Sequence, residues 1–276
     1  MADSKPGGAR ALPRLDAAWP TQPLSGSAVS RGILIFIVLG VLARAVRYFL
    51  RFPLWEDECF LVGNYIDAGY GDLLEPLQPH QAAPILYLWA QLTIVKLLGF
   101  TELSLRLFAF VASIASLFLF RRLAGRLLEG TSLLLAVAFF AVAYPCIRYS
   151  AEAKPYGIDL LVGVVLITLL VQWLQRPDRT RALWILAAIA PLAIGMSYPA
   201  AFLGGGISLT VAFVLLRTGE RRGWLPWVAY NVLLCGSVLV LLVAAKSQTT
   251  AELEWMRAYW KDAFLPREAA AALVWL

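Results

Sequence analysis

Seven stretches of this chain are long and apolar enough to cross a bilayer, and this removes most folds from consideration. They fall at 32–51, 103–121, 131–148, 156–175, 182–198, 200–217 and 226–246, and a crossing helix needs roughly 17–25 residues. Backbone amides in hydrocarbon have to be satisfied within the segment or in a closed barrel. The expected fold is therefore all-α, a polytopic transmembrane helical bundle. A hydrophobic content of 60% and a mean hydropathy of +0.71 exclude an ordinary soluble domain. An eighth stretch begins near Glu268 and is cut at Leu276, so the chain is expected to be the front part of something longer.

The flanks are different. Residues 1–30 are rich in Pro, Gly, Ala and Ser and carry Lys5, Arg10 and Arg14, which reads as a disordered cytoplasmic tail. Residues 31–246 form the membrane module, and 247–276 an outer loop with the start of the further helix. Cys59, Cys146 and Cys235 make neither a metal-ligand pattern nor an even disulfide framework, and buried free thiols are expected. The net charge of +6 does not call for nucleic acid, because the basic residues sit in short loops where topology explains them.

Those loops orient the chain. Arg121, Arg122 and Arg126 follow the second span, Arg176, Arg179 and Arg181 the fourth, and Arg217, Arg221 and Arg222 the sixth. With the N-terminus also cytoplasmic, they alternate correctly only if the apolar stretch from Pro84 to Phe100 does not cross. That stretch is expected to be an interfacial or re-entrant helix over Ala83–Leu98 within an outer loop at 51–102, the alternative being that it crosses and the basic loops do not set the orientation. Its length of about 17 residues and its Tyr87, Trp89, Gln91 and Lys96 suit an interface.

Everything chemically unusual then lies on the outer side. Trp55-Glu56-Asp57-Glu58 crowds three acids directly after the first span. Such acids repel one another and lose hydration, and they persist where they bind a cation, pair with arginine or take a proton from a substrate. His80 and Gln81 follow in the same loop. A second loop carries Arg148, Glu152, Lys154 and Tyr156, and a third Glu252, Glu254, Trp255, Arg257, Tyr259, Trp260 and Lys261. Carboxylates supply a general base, cations hold a phosphate and aromatic rings stack on sugars. Such a set suits transfer of a sugar from a lipid phosphate lying in the outer leaflet.

Four elements carry a family resemblance: Trp-x-Asp-Glu after the first span, the His80 element, Leu103-Ser104-Leu105-Arg106-Leu107, and Ser150-Ala151-Glu152-Ala153-Lys154-Pro155-Tyr156. From about Gly32 to Lys246 the chain resembles polyprenyl-phosphate-dependent glycosyltransferases of the glycosyltransferase-C class, such as protein O-mannosyltransferases and lipid A aminoarabinose transferases. The resemblance implies a bacterial inner-membrane enzyme that uses a polyprenyl-phosphate-linked sugar, with juxtamembrane helices in its first outer loop. It implies Asp57 as catalytic base with Glu58 as its companion, and it matches Glu152 and Tyr156 to the family's second outer loop. From the residues themselves, Lys154, Arg148 and Arg106 are the candidate ligands of the donor phosphate, and Glu152, Tyr156, His80, Gln81 and Trp255 the candidate substrate contacts. Lys154 stands where many relatives carry Arg. The chain departs from the family at Pro79-His80-Gln81-Ala82-Ala83-Pro84, where relatives often show His-Pro-Pro. No cofactor is required, and a divalent metal, which some relatives bind in this loop, is demanded by no spacing here.

Each residue also has a plainer reading. Asp57 can be half of a structural ion pair with Arg51 or Arg106, and Arg148 and Lys154 can snorkel to lipid headgroups. His80 can be an interfacial residue, and Trp255, Tyr259 and Trp260 an aromatic belt. Gly204-Gly205-Gly206 reads as close helix packing. Two other functions compete: a transporter or flippase with its acids lining a pathway, and a non-catalytic membrane scaffold. Polar residues gathered at one rim, with span centres almost free of charge, favour surface chemistry over conduction.

Overall fold

The computed structural model describes residues 26–78 and 81–249, with side chains as far as Val243. The expected tail up to residue 25, His80, the third loop with Trp255 and the eighth helix lie outside the described residues. Within them every regular element is helical: α1 Gly26–Phe49, α2 Glu56–Val62, α3 Ile85–Leu98, α4 Glu102–Leu127, α5 Gly130–Val142, α6 Tyr144–Arg148, α7 Tyr156–Gln175, α8 Arg181–Met196, α9 Pro199–Thr218 and α10 Trp224–Thr249. Helix α1 begins inside the stretch expected as tail.

Five helices, α1, α4, α7, α9 and α10, are long and apolar enough to span, and α5 with α6 and the turn that follows makes a sixth segment bent by 48°. Helix α8, expected as a full crossing, has 16 residues, about 24 Å at 1.5 Å per residue. Helix α3 has 14 residues, about 21 Å, against a hydrocarbon core of roughly 30 Å.

The bend in the third span has a chemical cause. Pro145 has no N–H, so the carbonyl of Ala141 loses its donor four residues on. Arg44, fully buried on α1, replaces it. Its Nη1 donates to Ala141 O at 2.8 Å and to Gly40 O at 2.9 Å, and its Nε to Ser113 Oγ at 2.9 Å. Ser113 in turn donates to Cys146 O at 3.2 Å. One arginine thus ties α1, α4 and the broken α5–α6 segment together. Gly40 lets the helices close, since a Cβ there would stand 3.0 Å from that of Ala141. Gly157 does the same for α4 and α7, where a Cβ would meet Ala109 O at 2.9 Å.

The segment between α1 and α4 folds onto one end of this bundle. Thr101 and Ser104 start α4 with a reciprocal cap, Ser104 N donating to Thr101 Oγ1 at 3.2 Å and Thr101 N to Ser104 Oγ at 3.0 Å. Leu61, Tyr65, Leu73, Leu77, Tyr87, Leu88, Leu105 and Ile158 form one core that joins α2, two 3₁₀ turns and α3 to α4 and α7. A second core lies among α7, α8, α9 and α10. Of the glycine triplet, Gly204 packs closely: Tyr230 donates to its carbonyl at 3.0 Å, while Gly205 and Gly206 face open space. The cysteines are free as expected but not buried: Cys59 and Cys235 are exposed and Cys146 half-buried.

If α3 stays on the outer side, single cysteines at Glu102 and Arg126, the two ends of α4, label from opposite sides in a cysteine-free background, Glu102 from outside. Labelling of Glu102 only from the cytoplasm would reverse the orientation.

Candidate active site

The three consecutive acids separate because a helix turns about 100° per residue. They occupy the first turn of α2, where the helix N-terminus favours negative charge. Glu56 points outward, Asp57 is half-buried and Glu58 is buried at 1% exposure.

Glu58 is the junction of the site. Arg106 on α4 grips it with two bonds, Nε to Oε1 at 3.0 Å and Nη2 to Oε2 at 2.7 Å. The backbone N–H of Ala153 donates to Oε1 at 2.7 Å and that of Trp55 to Oε2 at 3.3 Å. Arg106 also donates through Nη1 to Phe52 O at 2.6 Å. The pair therefore clamps the entrance to α2 and the segment before α7 onto α4. Arg106, expected among the phosphate ligands, is buried and spends its donors within the protein. The plain alternative of an Asp57–Arg106 pair is not what forms, because Arg106 belongs to Glu58.

Asp57 meets a different cation. Lys154 Nζ lies 2.8 Å from Asp57 Oδ1 and donates to Gln81 Oε1 at 2.7 Å. The lysine side chain is 7% exposed and the aspartate 33%, so Lys154 is not snorkelling into open headgroups, and Asp57 keeps one edge towards the outside. Tight packing holds the lysine: Ser150, Ala151, Glu152 and Ala153 are all buried, and Pro155 follows at the mouth of α7.

Arg148 is the accessible cation. Its Nε donates to Glu152 Oε1 at 2.8 Å, with the arginine side chain 37% exposed and the glutamate 3%. Glu152 Oε2 is buried and has no hydrogen-bond partner. The guanidinium lies 5.9 Å from the Trp55 ring and 5.7 Å from that of Tyr149. Tyr149 packs at 4.7 Å on Tyr156, whose phenol is within electrostatic reach of Asp57 and Glu152. Beneath the acids, burial first, with Tyr65, Asp159 and Glu58 adding, holds the Tyr87 phenol well above its ordinary range. It stays protonated and offers no base.

The structure thus brings together Asp57, Glu58, Gln81, Arg106, Arg148, Glu152, Lys154 and Tyr156. Among the described residues, no group of three or more His, Cys, Asp or Glu side chains is placed to hold a metal ion. An apolar cavity of about 520 Å³ opens between α3, α8 and α10, walled by Leu86, Trp89, Pro191, Tyr198 and Leu233. It also touches Ala83, two residues from Gln81. Sequence reasoning missed Arg44, whose signal was Pro145 inside an expected span and an arginine inside another.

The sequence model of a family described as dolichyl-phosphate-mannose-protein mannosyltransferase matches residues 82–247. The match includes Arg106, Arg148, Glu152, Lys154 and Tyr156 and begins after Asp57 and Gln81. No curated protein and no solved structure matches the chain.

Removing Glu58 leaves a buried guanidinium without its counter-charge, a change that typically costs about 3–5 kcal/mol. Glu58→Ala is expected to lose that much in reversible unfolding in mild detergent. A loss of under about 1 kcal/mol, the scale of an exposed pair, would remove the pair from its clamping role.

Proposed function

We propose, from the premise that the chain belongs to the dolichyl-phosphate-mannose-protein mannosyltransferase family, that it carries a sugar from a polyprenyl-phosphate donor to an acceptor hydroxyl at the non-cytoplasmic face. Membership makes it a membrane glycosyltransferase, and the apolar spanning helices make it an integral membrane protein. The donor, the side and the residue roles are our reading. The observation that carries them is the meeting of Asp57, from the first outer segment, with Lys154, from the second, beside the half-exposed Arg148.

In this reading Asp57 accepts the proton of the acceptor hydroxyl as its oxygen attacks the anomeric carbon. The bond from that carbon to the phosphate oxygen breaks on the opposite face, so configuration inverts. Polyprenyl phosphate leaves with the bonding electrons, and Lys154 and Arg148 stabilise the charge that gathers on it. Glu58 and Arg106 hold the base and the cation in register from below. The apolar cavity beside α3 gives an isoprenoid chain a place next to the phosphate site. Gln81, Glu152 and Tyr156 remain the proposed substrate contacts. The acidic rim supports this reading over transport, because the one buried arginine within α1 is spent on backbone carbonyls and Ser113 and lines no pathway.

Asp57→Asn keeps size and removes proton acceptance, so transfer from a lipid-linked sugar is expected to fall by about 10²–10⁴ while donor binding survives. Wild-type turnover in that variant would exclude Asp57 as the base. Lys154→Gln removes one charge-assisted hydrogen bond and is expected to weaken polyprenyl-phosphate binding by about 1.5–3 kcal/mol. Undiminished binding in nanodiscs would return Lys154 to a purely structural role.

A further inference from the structure

We infer that Lys154 is a counter-ion handed from Asp57 to the departing phosphate during the reaction, so that one ammonium serves first the base and then the leaving group. This rests on the reading of Asp57 as base and of a polyprenyl phosphate as leaving group. It goes beyond it by assigning Lys154 two successive partners.

The geometry sets up the problem that the hand-over solves. An ammonium has three donors and no acceptor. Here one donor faces Asp57 Oδ1 at 2.8 Å and another Gln81 Oε1 at 2.7 Å, which leaves the third for a ligand. Asp57 is both the base of the proposed reaction and the partner of this ammonium, so once Asp57 accepts a proton the ammonium has to find another counter-charge.

Charge movement in the reaction relieves this. A polyprenyl-phosphate sugar is a phosphodiester with one negative charge. When the bond from the anomeric carbon to oxygen breaks, the phosphate keeps the electron pair and becomes a monoester that can carry two. In the same event the acceptor proton passes to Asp57, which becomes neutral. One unit of negative charge thus leaves the carboxylate and appears on the phosphate. Lys154 loses its reason to stay at Asp57 when its attraction to the phosphate is greatest. The ammonium follows the charge, with Gln81 as the neutral acceptor that steadies it through the exchange. Gln81 is in this account a positioning residue. Its amide oxygen holds Lys154 without competing for it as a second carboxylate would. Arg148, with its Nε committed to Glu152 and its side chain partly open, remains on the phosphate side throughout.

Polyprenyl phosphate without sugar is the product form and supplies the dianion with no turnover. The test is an infrared difference spectrum, the protein in nanodiscs with undecaprenyl phosphate minus the protein without it. The hand-over predicts that Lys154 leaves Asp57 for the bound phosphate and that Asp57, without its ammonium, takes up a proton, so lipid binding gives a protonated-carboxyl band in place of a carboxylate stretch. That band should be missing in Asp57→Asn. It should also be missing in Lys154→Gln, where Asp57 has no ammonium to lose, at lipid concentrations raised to restore occupancy. Wild-type binding of the lipid with no band sensitive to Asp57→Asn would overturn the hand-over, since the phosphate would then take only the third donor while Lys154 stays on Asp57. The donor reading would survive that result. Failure of the wild-type protein to bind the lipid would overturn both.

Discussion

The bidentate contact between Glu58 and Arg106 is the interaction on which the arrangement of the candidate site depends. Two charges are withdrawn from water there, which is costly unless their hydrogen-bonding capacity is filled. It is filled by Ala153 and Trp55 N–H on the glutamate and by the Phe52 carbonyl on the arginine. The added partners come from two stretches of chain, Phe52 and Trp55 from the entrance to α2 and Ala153 from the segment before α7. Satisfying the pair and closing the loops are consequently one event. Breaking it would free the start of α2 and the segment before α7 together, and these carry Asp57 and Lys154.

A similar economy operates deeper in the bundle. A proline breaks the third span and exposes carbonyls in an apolar interior, and Arg44 covers them from the neighbouring helix. The charge that looks out of place in α1 is thus matched to the defect in α5–α6. That defect turns the chain into Arg148 and the buried turn up to Lys154. The segment before α7 is therefore held from two directions, by Arg44 at the bend and by Glu58 at Ala153.

Much of this was legible in the sequence. Hydropathy located the spanning helices because hydrocarbon leaves the backbone few alternatives. The residues before α7 were recognisable as a group because Arg148, Glu152, Lys154 and Tyr156 crowd polar side chains between two apolar runs. What could not be read was who pairs with whom. Asp57 and Glu58 are adjacent and alike in composition, and only the helical turn between them sends one to Arg106 and the other to Lys154. Nor does a sequence show that Arg106, on a helix 48 residues further on, is the partner of Glu58. The length of α8 was overestimated because the apolar run continues through Ser197 and Tyr198, where the chain turns into α9. The thiols of Cys59 and Cys235 were expected inside because cysteine is so often buried.

In the proposed reaction the base comes from the segment between α1 and α4 and the phosphate-binding cations from the segment before α7, and the two segments meet at Asp57 with Lys154 and at Glu58 with Ala153. The most direct test is an experimental structure of the protein in nanodiscs with a polyprenyl phosphate bound. The account predicts the phosphate at the rim, within hydrogen-bond distance of Lys154 and Arg148 and on the same face as Asp57, with Arg106 still paired to Glu58. A phosphate seated at the opposite end of the bundle, against Arg121, Arg122 or Arg126, would contradict it.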